Sequence, residues 1–246
     1  MTFLLIISAT LLVGFISLVG ICISLAKVNM EKVTFYSLSL ASGTMLGTAF
    51  LHLLPESLVA NPSNALKLGC FGIVVFFILE KFLIWRHCHL HQHHEDFARP
   101  TAAKMILVGD SIHNFIDGII IASSFMAGRD VGLTVTAAII LHEIPQEMSD
   151  FGVLIHGGYS VRNALLLNLI SGGFALLGAT LSFFFLSSVP MLQSYLLPLA
   201  AGGFLYIALA DLIPQLHGNN TFRQTLEQIL LLVLGIILVV ILKSGS

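Results

Sequence analysis

Asp110, His113, Asn114 and Asp117 fall at i, i+3, i+4 and i+7, and His142, Gln146 and Ser149 with Asp150 repeat that spacing about thirty residues later. On a helix each set forms one stripe, and Glu143 flanks the second. Imidazole and carboxylate together, with no thiolate nearby, suit borderline divalent transition metals: Zn²⁺ first, Fe²⁺, Mn²⁺ and Co²⁺ after it, and hard Mg²⁺ or Ca²⁺ less. Both stripes interrupt apolar runs. A carboxylate at the centre of a spanning helix costs about 2.5–3.5 kcal/mol on insertion scales, so such groups face a partner, an ion or water.

The helices that must position these stripes belong to a membrane protein. Of the 246 residues, 57% are hydrophobic and 10% charged, and the mean hydropathy is +0.96, well outside the range of soluble domains. The net charge of −2 gives no basic patch for nucleic acid. Cys22, Cys70 and Cys88 share no CxxC spacing, which indicates neither a disulfide framework nor a thiolate metal knuckle. Eight apolar runs are long enough to span a bilayer: about 3–26, 34–58, 68–85, 103–127, 133–156, 163–188, 192–216 and 226–242. The first lacks the basic start of a signal peptide and is read as a retained span. The chain reads as one transmembrane domain.

Lys and Arg gather in the odd-numbered loops: Lys27, Lys32, Arg86, Arg99, Lys104, Arg162 and Arg223, with Lys81 near one helix end. Lys67, Arg129 and Lys243 lie on the other side. The odd loops are therefore expected in the cytoplasm and both termini outside. The longest connection, about 86–100, reads RHCHLHQHHEDFARP; its five histidines can bind metal weakly, and a solvated tract needs no ligand. Residues 50–57, FLHLLPES, echo 209–216, LADLIPQL, aligning Pro55 with Pro214. The two helices run in opposite directions, so spans one to three and six to eight are expected to be inverted repeats around a central pair, a 3+2+3 all-α arrangement that places a midplane site between halves.

With a turn near Gly128, equal depth sets Asp117 level with His142, His113 with Gln146, and Asp110 with Ser149 and Asp150. Pro145 removes a backbone hydrogen bond and supplies a hinge or added polarity. Other polar groups have two readings each. His52 with Glu56 is an access vestibule or an interfacial pair; Asp150 and His156 relay an ion or meet interfacial water; Asn168 and Asp211 join helices, Asn168 alone having the depth of a ligand. Gly157-Gly158, Gly172-Gly173 and Gly202-Gly203 suit close helix packing.

HNFIDG at 113–118 followed by HEIPQEMSDFGVLIHGG at 142–158 resembles the paired signature of the ZIP (Zrt/Irt-like) divalent-metal transporters. That resemblance implies eight spans, outward termini, a His-rich loop between helices three and four, and a homodimer. It also implies a binuclear site: His113, Asp117, His142 and Gln146 at the first metal, Asn114, Asp117, Glu143 and Gln146 at the second, with Met45 lining the pathway beside the first. The metal would be transported substrate rather than cofactor, moved into the cytoplasm without ATP. Gln146 stands where many relatives carry His or Glu, and an amide is a weaker, uncharged ligand. At 100° per residue Glu147 points away from the His142 stripe unless a kink at Pro145 returns it, so it is not counted. The rival reading is an intramembrane zinc metallohydrolase, since His142-Glu143-x-x-Gln146 is one residue short of HExxH, with Glu143 as base. Pro145 and the missing second His weigh against it. Short loops and the absence of a large outer domain suggest a bacterial or archaeal cytoplasmic membrane.

Overall fold

A computed structural model of the chain describes residues 1–25, 30–88, 95–218 and 220–244, and among them every regular element is helical. Eight continuous helical segments follow one another. They are α1 (Thr2–Leu25), α2 (Met30–Thr48, then a π turn at Ala49–Leu53, then Leu54–Ala60), α3 (Ala65–Cys88), α4 (Glu95–Ala127), α5 (Arg129–His156) and α6 (Val161–Ser188). After a 3₁₀ turn at Pro190–Leu192 come α7 (Gln193–Tyr206, a π turn at Ile207–Leu212, then Ile213–Leu216) and α8 (Phe222–Ser244). Five of them contain stretches long and apolar enough to cross a membrane: Lys32–Ala60, Ile106–Ala127, Val161–Ser188, Gln193–Leu216 and Phe222–Leu242. Helix α5 is not one of these, for it carries Arg129, Asp130, Glu143, Glu147 and Asp150 along its length. The expected long loop at 86–100 is shorter than the sequence suggested: α3 continues to Cys88 and α4 begins at Glu95. Its histidines 89, 91, 93 and 94 lie outside the described residues.

The two segments that echo each other in sequence share an irregularity. Each contains a π turn ending two residues before its proline, Leu53 before Pro55 and Leu212 before Pro214. A proline ring in a tight α turn collides with the carbonyl four residues earlier, and a wider turn relieves the collision. Packing repeats the same correspondence. Helix α2 packs on α8 as α3 does on α7, α1 packs on α6 and α2 meets α7, while α4 and α5 lie side by side in the middle. Glycines set the closest approaches. A Cβ on Gly43 would strike the Leu232 carbonyl and one on Gly235 the Leu40 carbonyl, joining α2 to α8. Gly72 and Gly202 do the same between α3 and α7, and Gly118 and Gly178 between α4 and α6. In lipid, small residues let backbones close in and gain van der Waals contact where no hydrophobic driving force exists. Gly202 and Gly203 fit that role, but Gly173 meets nothing within 4 Å, and Gly158 (φ +88) turns the chain out of α5.

One apolar cluster fills the end of the molecule bearing the even-numbered connections. Met45, Ala49 and Leu53 of α2 meet Ile120, Ile121 and Phe125 of α4, Val135, Ala138 and Ile139 of α5, and Leu197, Ala201 and Phe204 of α7. Toward the opposite end α4 and α5 part from α2, α3 and α7 around a cavity of about 770 Å³. The stripes of α4 and α5 lie where these two zones meet.

Candidate metal-binding site

Four donor atoms from α4 and α5 converge. His113 Nε2 lies 3.2 Å from His142 Nε2 and 3.3 Å from Glu143 Oε1; Asp117 Oδ2 lies 3.4 Å from His142 Nε2 and 3.7 Å from His113 Nε2; His142 Nε2 lies 3.5 Å from Glu143 Oε1. A tetrahedral zinc ion with bonds of about 2.0–2.1 Å holds its ligands about 3.3–3.4 Å apart, so the edges of this cluster have the length such an ion needs. His142 Nδ1 stands 3.2 Å from the Ala138 carbonyl. A carbonyl only accepts, so Nδ1 carries the proton and Nε2 turns a lone pair to the cluster, the arrangement that fixes tautomer and ring in metal-bound histidines.

The surroundings are short of protons to satisfy these atoms. Asp117, His142 and Glu143 are each 1% exposed. Both oxygens of Asp117 and Oε1 of Glu143 have no hydrogen-bond partner, a state that costs about 1–3 kcal/mol for each buried polar group and more for charged ones. Among the described residues that line the adjoining cavity there is no Lys or Arg, whereas Asp110, Asp150 and Asp211 do line it.

The structure brings together some of the sequence-predicted residues and separates others. Asp117 meets His142 at the depth the register predicts. His113, expected level with Gln146, meets His142 and Glu143. Glu143 is the fourth member of this group. Gln146 and Asp150 line the cavity beside it. Asn114 donates to Asp110 Oδ1 at 2.9 Å and to the Asp110 carbonyl at 3.2 Å. Asp110 also accepts from Ser171 of α6. Met45 is fully buried in the apolar cluster and does not line the cavity. His52 is buried in the π turn of α2. His156 ends α5, its side chain outside the described residues.

Glu147 stands outside the group of four. It does turn from the His142 stripe, but it lies one turn after Glu143, and the two carboxylates converge with Asp110, their oxygens within 4.8 Å of one another. The signal was the i, i+4 spacing of Glu143 and Glu147. Asn168 of α6, fully buried, donates to the Glu147 carbonyl at 3.5 Å.

The bundle and its apolar spans define an all-helical integral membrane protein that buries a group of nitrogen and oxygen donors. A family model described as the ZIP zinc transporter matches residues 84–243. Zinc transporter ZIP13 of Pongo abelii is 34% identical over 220 residues, covering 83% of this chain and 65% of that protein. The zinc transporter ZIP13 homolog of Drosophila melanogaster is 30% identical over 269 residues, covering 83% and 76%, and zinc transporter zipt-7.2 of Caenorhabditis elegans 39% over 142, covering 56% and 31%. The chain belongs to the ZIP zinc transporter family, and it is a transporter-family protein rather than an enzyme. Its extent relative to these proteins varies from under a third of one to three quarters of another. All three come from animals, which runs against the bacterial or archaeal assignment: short loops reflect tight helix packing and carry no information about the organism.

Proposed function

We propose that the chain carries Zn²⁺, with Fe²⁺ and Mn²⁺ as lesser substrates, across the membrane into the cytoplasm, and that His113, Asp117, His142 and Glu143 hold the ion midway. The observation that carries this reading is the spacing of the four donors, 3.2–3.7 Å over five of their six edges. A mixed imidazole and carboxylate set selects borderline divalent ions over Mg²⁺ or Ca²⁺. Gln146, which lines the cavity next to the group, and Asn114 are auxiliary ligands.

Eight spans in a 3+2+3 order, with both termini outside, give the ion its route. Paired π turns and symmetric helix contacts support inverted repeats that rock against each other, without a nucleotide. The cavity runs from His113 and His142 past Gln146 and Asp150 to Thr34 near the start of α2 and Gln215 near the end of α7, which are the ends bearing the odd-numbered, Lys- and Arg-rich loops. An ion released there enters the cytoplasm. The protein works as a homodimer of such units. A metallohydrolase would keep Glu143 free as a base beside an open metal position, whereas here Glu143 belongs to the donor group.

Purified protein in vesicles containing a zinc-sensitive dye provides the test. Zinc entry driven by its gradient alone, blocked by His142→Ala in protein that still inserts and migrates as wild type, is the expected result. Zinc binding without entry would overturn transport in favour of a sensor or hydrolase.

A further inference from the structure

Asp110 joins two helices through its two carboxylate oxygens. Within α4, Oδ1 accepts from the Asn114 amide nitrogen at 2.9 Å; from α6, Ser171 donates to Oδ2. Ser171 Oγ stands in turn 3.2 Å from Ser111 Oγ, whose hydroxyl donates to the Leu107 carbonyl at 2.7 Å. One turn further along both helices a Cβ on Gly118 would strike the Ala175 carbonyl, so α6 is pressed against α4 beside this link. Asp110, Asn114 and Ser171 are all buried. The Asn114 amide has one orientation that fits. Its nitrogen lies 3.2 Å from the main-chain carbonyl of Asp110 as well, and a carbonyl only accepts, so the end facing Asp110 is the NH₂. Turned over, the amide would set its oxygen against two acceptors and lose both bonds. With the nitrogen held this way, Oδ1 at the other end of the amide is buried without a partner.

We propose that Asp110 is a positioning residue: tied to α6 by Ser171, it fixes the Asn114 amide so that Asn114 offers the ion an oxygen rather than an NH₂. This rests on the reading of Asn114 as an auxiliary ligand, and it adds Asp110 and Ser171, to which the family resemblance gives no part. An amide nitrogen carries only donor hydrogens and cannot ligate a cation, so the worth of Asn114 to an ion depends on which way its amide is turned. Both hydrogen bonds that set the turn come from Asp110. Ligating side chains are commonly held by such outer partners. The task needs an acceptor at position 110 rather than a charge. An asparagine there accepts from Asn114 with its oxygen and donates with its nitrogen to Ser171, whose hydroxyl then turns to Ser111, while Ser111 keeps the Leu107 carbonyl. A leucine leaves only the main-chain carbonyl to hold Asn114. Asp110 also lines the cavity, so the rival role is a direct stop for the ion, and that role would need the charge.

Zinc calorimetry on purified full-length protein, with uptake into vesicles measured in parallel, tests this. Asp110→Leu and Asn114→Leu are each expected to weaken zinc binding by about tenfold. The double variant should lie within about twofold of Asn114→Leu alone, because residues that act through one another are not additive. Asp110→Asn should restore binding to within about threefold of wild type, losing only the charge assistance of the bond. If Asp110→Leu does not insert, Ser171→Ala answers the same question: it should weaken zinc in the wild-type background by about threefold or more and have no effect in Asn114→Leu. A loss in Asp110→Asn as deep as in Asp110→Leu means that the charge meets the ion, and overturns the positioning role. So does a double variant whose loss is the product of the two single losses. Zinc binding without entry in wild type would sink the transport reading, and the same affinities would still decide the role of Asp110. No zinc binding in wild type overturns the donor group and Asp110's role with it.

Discussion

The two ends of the α4–α5 pair are built from the same two helices and treat water oppositely. From the donor group toward the connection at Gly128, Ile120, Ile121, Phe125, Val135, Ala138 and Ile139 are all buried against α2 and α7. Toward the other end, Gln146, Ser149 and Asp150 face a cavity across which α7 presents Asp211 and Gln215. The seal is tight because its residues are small or branched and interlock; the cavity persists because a dry contact among so many carboxylates would leave charges without solvent or partners. The donor group thus lies between an end filled by apolar side chains and an end that opens on the cavity.

The largest expected effect removes that boundary. His113→Ala and Asp117→Ala each should abolish zinc uptake in vesicles and eliminate high-affinity zinc binding, since each deletes one of four convergent donors and leaves buried partners uncompensated. Near wild-type uptake in either variant, with its affinity unchanged, would put the binding site somewhere else. Next comes the contrast between the two ends. In a background lacking Cys22, Cys70 and Cys88, Ser149→Cys should react with a water-soluble thiol reagent at least about tenfold faster than Ser124→Cys, because access governs thiol reactivity. Ser149 is exposed and Ser124 fully buried. Equal rates would mean the seal is not closed.

Packing should respond more modestly. Gly118→Ala and Gly178→Ala each force α4 from α6 and are expected to destabilise the folded protein by about 1–3 kcal/mol, visible as a lower midpoint in a detergent thermal melt. Gly173→Ala, whose new methyl meets open space, is the control that should leave the midpoint unchanged; an equal fall in all three would remove close approach as the cause. The smallest effect is assigned to Gln146. Gln146→Leu should weaken zinc binding less than His113→Ala does, and Gln146→Glu should tighten it and slow turnover, because a carboxylate at this depth attracts a divalent ion more strongly than in water and a tightly held ion leaves reluctantly. Calorimetry with parallel uptake decides: unchanged affinity in Gln146→Glu would show that the side chain does not face the ion.

Much of this molecule was legible in its residue order. Apolar run lengths mark the helices, because a bilayer admits little else. The i, i+4 and i+7 spacing makes single stripes of Asp110, His113, Asn114 and Asp117, since helix periodicity is local. The antiparallel register between α4 and α5 also follows from the short turn at Gly128, and it sets Asp117 against His142 without any coordinates. Even the paired prolines at 55 and 214 mark where the two π turns end.

Tertiary structure decided what periodicity leaves open. Which side chains meet His113 depends on how far each reaches across the gap between two helices, so Glu143 comes within 3.3 Å of it although depth along the axis sets His113 level with Gln146. Glu147 faces away from His142 by local geometry, yet it joins Asp110 and Glu143 because α6, far along the chain, closes that side with Asn168 and Ser171. The extent of the cavity, and hence the end at which the site opens, depends on how α2, α3 and α7 lean against the central pair; such long-range packing is set by many weak contacts at once, and no single spacing in the sequence encodes it.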